Sequence, residues 1–431
     1  MIATEVGLIL TIFLGGVLLL YLMGVPVAVA MGMTSVFIMI SPFGRGLNYE
    51  LIASQLLFGV NSFTILAVPF YLLLGRLMNR IGITERIFRF ATALVGQFRG
   101  GIAYVNIVAS MIFSGMSGLA VADAAGLGRV EYKSMRDEGY DKDISLGVTG
   151  SSAIIGPIIP PSVVMIIYGI LAEESIGDLF IAGIIPGVLI GLLLMAFVMV
   201  MVVRRGYQGG DSFTTKEAVE SFKGAFMPLL TPILIIGGIL SGWFTATEAG
   251  AIAVLYVIAM GFYYGELDLH GLYLETRDSM VETFALMFIV GVAALYGLIA
   301  LQLQLPIFIA ESVTGLTSDP TMILLLLVLV LLVVGTFLET MAAITILVPI
   351  LLPVLNIAGI DTLHFGIVMV LTLMLGLLTP PLGVILFVLE KVTDATIEEI
   401  VRAVIPFYIP ILIVILLIVF FPSIALFLPT L

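Results

Sequence analysis

Two acidic side chains stand inside long apolar stretches where no basic residue lies near them in sequence. Asp123 ends the run SGMSGLAVAD at residues 114–123, and Glu339 belongs to the run GTFLET at residues 335–340. An acid at membrane depth costs about 3 kcal/mol unless it is paired or functional. The small and hydroxyl-bearing residues in each run bring further oxygen atoms. These two runs are therefore the first candidates for a functional site.

Each run interrupts an apolar segment, and a second interruption follows each of them at nearly the same distance. The second interruptions are GPIIPPS at residues 156–162 and GLLTPPLG at residues 376–383. Backbone that leaves a helix inside hydrocarbon must find hydrogen bonds in protein, water or a bound ion, because unsatisfied groups are costly there. Four interruptions in two matching pairs predict a transporter.

The composition indicates that these segments lie in a membrane. Of 431 residues, 61% are hydrophobic and 11% are charged, with a mean hydropathy of +1.26. Apolar runs of about twenty residues recur along the chain, which is the length needed to cross a bilayer. The fold class expected is an all-α polytopic membrane protein. Cysteine is absent, and the two histidines, His270 and His364, lie far apart, so no enzyme and no thiolate or imidazole metal site is predicted.

The distribution of charge predicts the orientation of the segments. Lysine and arginine concentrate at residues 76–99, 129–142 and 204–223. Basic residues gather in cytoplasmic loops, so we place these three regions inside and the acidic stretches between them outside. Both termini are predicted to be external. The chain is expected in the cytoplasmic (inner) membrane of a bacterium or archaeon.

Two segments are flanked by the same kind of charge at both ends. Residues 101–128 lie between basic clusters, and residues 321–354 lie between acids. A segment that enters and leaves on one side is a re-entrant hairpin, and the glycines at its midpoint suit a tight reversal. We predict broken helices at 144–171 and 364–390. The expectation is ten crossings plus two hairpins, with an amphipathic interfacial helix at 83–98.

A shift of 220 residues aligns the two halves of the chain without a gap. It superposes glycine and proline residues that chance alone would rarely match: Gly115 on Gly335, Gly139 on Gly359, Gly156 on Gly376, Pro160-Pro161 on Pro380-Pro381, and Pro186 on Pro406. We therefore predict a first repeat at 1–220 and a second at 221–431. Five crossings per repeat is an odd number, so the second repeat is expected to be inverted, as in many secondary transporters.

Together these signatures resemble the large membrane subunit of TRAP transporters, the tripartite ATP-independent periplasmic class of the ion transporter superfamily. The resemblance covers essentially the whole chain. It implies a sodium-driven importer with an elevator mechanism, a small four-helix membrane subunit and a periplasmic substrate-binding protein. No four-helix segment precedes Glu5, so the separate form of the large subunit is expected. No nucleotide-binding motif is present, which agrees with ATP independence.

On this resemblance, sodium would be held at the interruptions by carboxylate, hydroxyl and backbone oxygens, which suit a hard cation. At least two sodium sites are expected. The predicted ligands of the first half are Ser114, Gly115, Ser117, Asp123, Gly156 and Ser162. Those of the second half are Gly335, Thr336, Glu339, Thr340, Gly376 and Thr379.

The solute is expected to be a small organic acid or a polar zwitterion, bound between the same interruptions. The predicted solute-contacting residues are Ser117, Pro160, Pro161, Thr340, Pro380 and Pro381. No arginine between the hairpins is available at membrane depth to clamp a carboxylate with two parallel hydrogen bonds. No nucleic-acid partner is expected. The alternative is a self-sufficient sodium-coupled carboxylate symporter of the divalent-anion type, which would need no binding protein.

Overall fold

The computed structural model describes residues 2–42, 50–207 and 215–430, and every regular element among them is helical. The first five helices are α1 (Ile2–Leu22), α2 (Val27–Ile40), α3 (Glu50–Val60), α4 (Ala67–Arg80) and α5 (Ile83–Val95). The next five are α6 (Gly101–Ser117), α7 (Ala120–Asp137), α8 (Lys142–Ala153), α9 (Val163–Ala172) and α10 (Ile176–Arg205).

The second half continues in the same manner. It contains α11 (Thr215–Leu240), α12 (Ala246–Tyr264), α13 (Leu269–Gln302), α14 (Leu305–Thr314), α15 (Pro320–Phe337) and α16 (Thr340–Ala358). It ends with α17 (Thr362–Gly376), α18 (Val384–Val392), α19 (Ile397–Val404), α20 (Tyr408–Phe420) and α21 (Ser423–Leu426). The chain is a multi-pass membrane protein: seven described helical stretches are long and apolar enough to cross a bilayer, or eight if the bent pair formed by α3 and α4 is counted as one span.

The predicted interruptions are real breaks in the helices. The pairs α6–α7 and α15–α16 meet at the two predicted tips, and α8–α9 and α17–α18 are separated at the two proline-rich segments. Hairpin one is longer than the predicted 101–128, because α7 continues to Asp137. The basic residues after Gly128 stand on a helix that still buries Tyr132 and Met135 on its other side.

The helices can be divided by their order in the chain into two groups, which also pack on each other across their border, α5 on α6 most extensively. We call α1–α5 and α11–α14 the scaffold group, and α6–α10 and α15–α21 the hairpin group. Within the hairpin group, α7 packs on α18 and α16 packs on α9, so that each hairpin touches the broken helix of the other half. The two groups meet chiefly through α4, α5, α11, α13 and α14 on one side and α6, α9, α10 and α16 on the other. Both tips therefore belong to one packed body.

The order of the helices repeats at an offset close to 220 residues. The series begins with α1, whose counterpart is α11, and ends with α10, whose counterpart is the α19–α20 pair. The inverted orientation of the halves, the boundary near residue 220, the ten crossings and the external termini stay predictions. α14 was missed from the sequence, where its acid Glu311 suggested an external loop. It is the counterpart of α5 at the 220-residue offset.

Candidate functional site

The first tip is a tight reversal between α6 and α7. Gly118 ends α6 with a φ of +63°, a conformation that glycine adopts without strain. A Cβ at this position would also lie 2.4 Å from the carbonyl oxygen of Pro161. A Cβ on the nearby Gly115 would lie 3.2 Å from the Pro232 side chain of α11 and 3.6 Å from the carbonyl oxygen of Pro160. The tip is thus seated on the proline-rich segment between α8 and α9.

Asp123 lies in the first turn of α7 and is 1% exposed. Its Oδ2 packs so closely on Gly156 that a Cβ there would be 2.6 Å from it. A residue 33 positions away in the chain therefore meets the acid only because α8 breaks at this point. The structure brings together two of the predicted sodium ligands, a carboxylate and a backbone that has left its helix.

The hydroxyl groups of the first half have local partners. Ser114 Oγ donates to the carbonyl oxygen of Ser110, and the Ser162 side chain caps α9 by accepting from Met165 N at 3.1 Å. Both serines are buried. Ser117 is the last residue of α6, and the structure describes its backbone but not its side chain.

The second tip brings two glycines into direct backbone contact. A Cβ on Gly376 would lie 2.5 to 2.7 Å from the carbonyl carbon, Cα and oxygen of Gly335. Leu382 N donates to the carbonyl oxygen of Thr336 at 3.2 Å, which ties the tip to the second proline-rich segment. Thr336 donates its hydroxyl to the Val333 carbonyl in its own helix, and Thr379 donates to the Leu375 carbonyl near the end of α17, at 2.8 Å each.

Glu339 caps the helix that follows it. Its Oε2 accepts from Met341 N at 3.0 Å and from Ala342 N at 3.3 Å, so the carboxylate satisfies two of the free amides at the start of α16. The neighbouring Thr340 is 1% exposed, and its Oγ1 has no hydrogen-bond partner among the described residues. A buried hydroxyl without a partner costs free energy unless a ligand or water supplies one.

A cavity of about 370 Å³ lies between the scaffold group and both tips. That volume is within the range of small-molecule sites. Its walls on the hairpin group are Leu119, Ala120, Val121, Ala122, Ala125, Pro157, Val164, Glu339, Thr340, Met341, Met374 and Leu377. Its walls on the scaffold group are Leu72, Gly75, Arg76, Asn79 and Glu282.

Of the predicted solute-contacting residues with described side chains, Thr340 is the one that lines this cavity. Pro160, Pro161, Pro380 and Pro381 do not line it. The first two support tip one, as described above, and the segment of Pro380 and Pro381 is tied to tip two. Solute contact by these residues stays a prediction.

The scaffold wall carries a cluster of charges that the sequence did not reveal. The guanidinium of Arg76 pairs with Glu275 at 3.1 Å, Asp278 at 3.1 Å and Glu282 at 2.7 Å, all on α13. Arg76 and its partners are about two hundred positions apart, so only the fold unites them. Arg76 lines the cavity. It lies on α4, before the first hairpin, and so outside the stretch between the hairpins that was considered for a carboxylate-binding arginine.

Glu131 is a further buried acid that sequence reasoning missed, because it follows Arg129 and precedes Lys133 in a stretch predicted to be cytoplasmic. It is 1% exposed, and Ser110 Oγ donates to its Oε1 at 3.0 Å. With the Asn106 amide oriented to satisfy its neighbours, Nδ2 donates to Glu131 Oε2 and Ser152 Oγ, both at 2.9 Å. The acid thus joins α6, α7 and α8 inside hairpin one.

Among the described residues, no group of three or more histidine, aspartate or glutamate side chains is placed to hold a metal ion. The oxygens at each tip are a single carboxylate, hydroxyls and backbone carbonyls. Such a set suits a monovalent or weakly held hard cation better than a transition metal.

The fold is that of known membrane transporters. The crystal structure of the YdaH transporter of Alcanivorax borkumensis matches with a TM-score of 0.65 at 13% identity, covering 88% of this chain and 89% of that one. The family described as "Tripartite ATP-independent periplasmic transporter, DctM component" matches residues 14–424. The chain belongs to this family.

Two curated relatives agree. The sialic acid TRAP transporter large permease protein SiaM of Vibrio cholerae is 44% identical over 411 residues, which is 95% of each chain. The sialic acid TRAP transporter permease protein SiaT of Haemophilus influenzae is 43% identical over 88% of this chain, which spans 61% of that protein. The relatives are transport permeases and not enzymes.

Proposed function

We propose that this chain is the transport subunit of a sodium-coupled, binding-protein-dependent importer that works by an elevator mechanism. The observation that carries the proposal is the 370 Å³ cavity at the border between the scaffold group and both hairpin tips. A solute held there contacts a body that contains both tips and both broken helices. Movement of that body along the scaffold would carry the solute across the membrane.

Sodium is proposed at the contacts between each tip and its broken helix. In the first half, Asp123 and Gly156 touch. The other proposed ligands, Ser114, Gly115, Ser117 and Ser162, stand close to one or the other of them in the sequence. In the second half, Gly335, Thr336, Gly376 and Thr379 offer oxygens, with Glu339 and Thr340 at the border to the cavity. Bound sodium would supply the positive charge that fixes the tips and thereby completes the solute site.

The partners are proposed from the family. They are a small four-helix membrane subunit and a periplasmic binding protein that delivers the solute. The solute is proposed to be a small organic acid or polar zwitterion. Because both relatives described above are named as sialic acid transporters, N-acetylneuraminate is the first solute to test.

The test is uptake into proteoliposomes that hold this chain with its small subunit. Labelled N-acetylneuraminate is added with the cognate binding protein, and an inward sodium gradient is compared with an equal choline gradient. We expect saturable uptake with sodium and binding protein together and at most background without either. An inward proton gradient is imposed in a third arm.

Each alternative gives a different result. Uptake driven by protons without sodium would remove the cation assignment and leave the transport role. Saturable sodium-driven uptake without any binding protein would instead establish the self-sufficient symporter.

A further inference from the structure

A row of polar side chains runs through the interior of hairpin one, from the tip towards its open end. On α6 the row consists of Asn106, Ser110 and Ser114, which are spaced four residues apart and so lie along one face of the helix. All three side chains are buried. Ser114 is a proposed sodium ligand at the tip. Further along the row is Glu131 on α7, an acid that the proposed function does not use.

Glu131 is buried without a positive partner. It is 1% exposed, and every ion pair among the described residues involves another acid. Arg129 and Lys133, its close neighbours in the sequence, are exposed on the other side of α7. An isolated carboxylate is costly in an interior from which water is excluded, so a buried acid without a cation takes up a proton instead.

The helices packed against α7 do not offer a positive partner either. α6 contains no charged residue. The charged residues of α5, α8 and α18 are exposed or held by other side chains: Glu85, Arg86, Arg89, Lys142, Asp143, Glu390 and Lys391. The hydroxyl of Tyr132 is bonded to Asp394. The charge that acts on Glu131 is Asp123, two helical turns away on α7, and a negative Asp123 favours an uncharged Glu131.

The hydrogen bonds at Glu131 fit both an acid and a carboxylate. Ser110 Oγ donates to Oε1 at 3.0 Å, and one atom of the Asn106 amide group lies 2.9 Å from Oε2. An amide nitrogen at that place donates to an ionised Oε2, whereas an amide oxygen at the same place accepts from a protonated Oε2. A half-turn of the Asn106 amide therefore adapts the site to either charge state of Glu131.

The rest of the network is complete in both orientations. With the amide oxygen towards Glu131, Ser152 Oγ donates to that oxygen at 2.9 Å, and Asn106 Nδ2 donates to Thr149 Oγ1 at 2.8 Å. With the nitrogen towards Glu131, it also donates to Ser152 Oγ at 2.9 Å, and Thr149 Oγ1 donates to the amide oxygen at 2.8 Å. A proton can thus enter or leave the network without leaving a buried polar group unpaired, which would cost free energy.

We propose that Glu131 and Asn106 form a proton-binding site inside hairpin one. In the folded protein at neutral pH, Glu131 is a carboxylic acid. Its O–H donates to the Asn106 amide oxygen, and its other oxygen accepts from Ser110. Loss of the proton to water turns the amide and places a second negative charge in the hairpin that contains Asp123. The site goes beyond the proposed function, because it binds a different ion on residues that are not proposed sodium ligands.

The experiment is infrared difference spectroscopy on the complex of this chain with its small subunit, in a detergent without ester groups and in sodium-free choline buffer at pH 7. The spectrum of Glu131→Gln is subtracted from that of the wild type. We expect the C=O stretching band of a protonated carboxyl group in the wild type and its loss in Glu131→Gln. Glu138→Gln, which changes an exposed acid at the end of the same helix, should keep the band.

A second variant tests the geometry of the site, and it decides the question even if Glu131→Gln does not fold. In Ser110→Ala the band should remain but move to a higher wavenumber, because the carboxyl C=O loses the hydrogen bond from Ser110 Oγ. Ser151→Ala is the matched control. Ser151 is also buried, but its hydroxyl donates to the carbonyl oxygen of Val148, so the band should stay in place.

The pH dependence of stability is an independent measurement. Unfolded Glu131 loses its proton above the ordinary glutamate pKa of about 4.3, whereas the folded site keeps the proton. The folded state then binds one proton more than the unfolded state, so its stability falls as the pH rises. We expect the unfolding temperature of the wild type to fall relative to that of Glu131→Gln between about pH 5 and about pH 8.

Three results would overturn the assignment. The first is a wild-type spectrum at pH 7 without a carboxylic acid band that Glu131→Gln removes, which means that Glu131 is ionised. The second is a band that does not move in Ser110→Ala, which means that the proton is on another acid. The third is a difference in unfolding temperature that does not change with pH. Failure of the proposed function is a separate result, because these measurements use no sodium, solute or gradient.

Discussion

Gly376 of α17 lies directly against the backbone of Gly335 in α15, so close that a Cβ on Gly376 would be 2.5 Å from the Gly335 carbonyl carbon. Backbone atoms cannot move aside as a flexible side chain can. The contact helps to hold the second tip on its broken helix, and it requires that Gly376 has no side chain. The corresponding place in the first half, Gly156, is filled by the carboxylate of Asp123.

Gly376→Ala should therefore displace the second tip and abolish sodium-dependent uptake. We expect an unfolding temperature below that of the wild type, because the inserted methyl group forces the two helices apart. Gly237→Ala on α11 is the control, since a Cβ there has nothing within 4 Å. Wild-type uptake by Gly376→Ala would contradict the role of this contact.

A second prediction concerns the two acids at the tips. Asp123→Ala and Glu339→Ala should each lower uptake and raise the sodium concentration needed for half-maximal rate, because each removes a proposed cation ligand. Loss of the Glu339 cap should also destabilise α16 by about 1 kcal/mol. The measurement is initial uptake against sodium concentration. Glu311→Ala, an exposed acid on α14, serves as the control and should leave the curve unchanged.

Glu131 gives a third prediction. Glu131→Ala leaves Ser110 and Asn106 without their shared buried partner, and it should destabilise the protein by about 1–3 kcal/mol. Glu131→Gln keeps the shape and an oxygen acceptor, so its loss of stability should be smaller. Thermal unfolding of both variants compares them. Equal losses would mean that the negative charge of Glu131, and not its hydrogen bonding, is what the site requires.

The sequence could predict the breaks because their chemistry is local. Glycine and proline interrupt helices wherever they stand in an apolar run, and Gly335 and Gly376 were visible for that reason. The repeat at an offset of 220 residues strengthened this prediction, because each break occurs once in each half of the chain. The same repeat implies α14 as the counterpart of the amphipathic α5, but the stretch that contains Glu311 was predicted only to lie outside, without a helix.

What could not be predicted are the contacts between distant helices. The cavity wall at Arg76 and Glu282 joins α4 to α13, and no local pattern relates two residues 206 positions apart. Glu131 was hidden by its basic neighbours, because charge was read along the chain and not around the helix. A helical-wheel reading that placed Glu131 on the same face as Leu127 and Met135 would have indicated its burial.

A fourth prediction uses the ionic cluster at the start of α8. Arg205 donates to Asp141 Oδ2 at 2.8 Å and to Asp143 Oδ2 at 2.6 Å, and the Tyr207 hydroxyl donates to Asp141 Oδ2 at 2.6 Å. The hydrogen bonds from Tyr207 and then Arg205 lower the pKa of Asp141, and the hydrogen bond from Arg205 lowers the pKa of Asp143. Because these pKa values are lower in the folded protein, the cluster stabilises it above the ordinary aspartate pKa of about 3.9, and this contribution is lost as the pH falls further.

Arg205→Gln should accordingly lower the unfolding temperature at pH 7, and its difference from the wild type should shrink as the pH falls below about 3.9. The shift should be small, since both aspartates are more than half exposed. Arg204→Gln is the matched control, because the neighbouring arginine makes no ion pair with a described residue. A difference between Arg205→Gln and wild type that persists unchanged at pH 3 would show that the effect is not electrostatic.

The last prediction tests the inverted orientation of the two halves, which the sequence predicts from charge alone. The chain contains no cysteine, so a single introduced thiol can be labelled without background. Lys133 on α7 and Asp319 before α15 are both exposed, and they mark the open ends of hairpin one and hairpin two. In whole cells, an impermeant maleimide should label Asp319→Cys and spare Lys133→Cys, and in inside-out vesicles the pattern should reverse. Labelling of both variants from the same face would mean that the hairpins enter from one side, and the duplicated halves would then be parallel and not inverted.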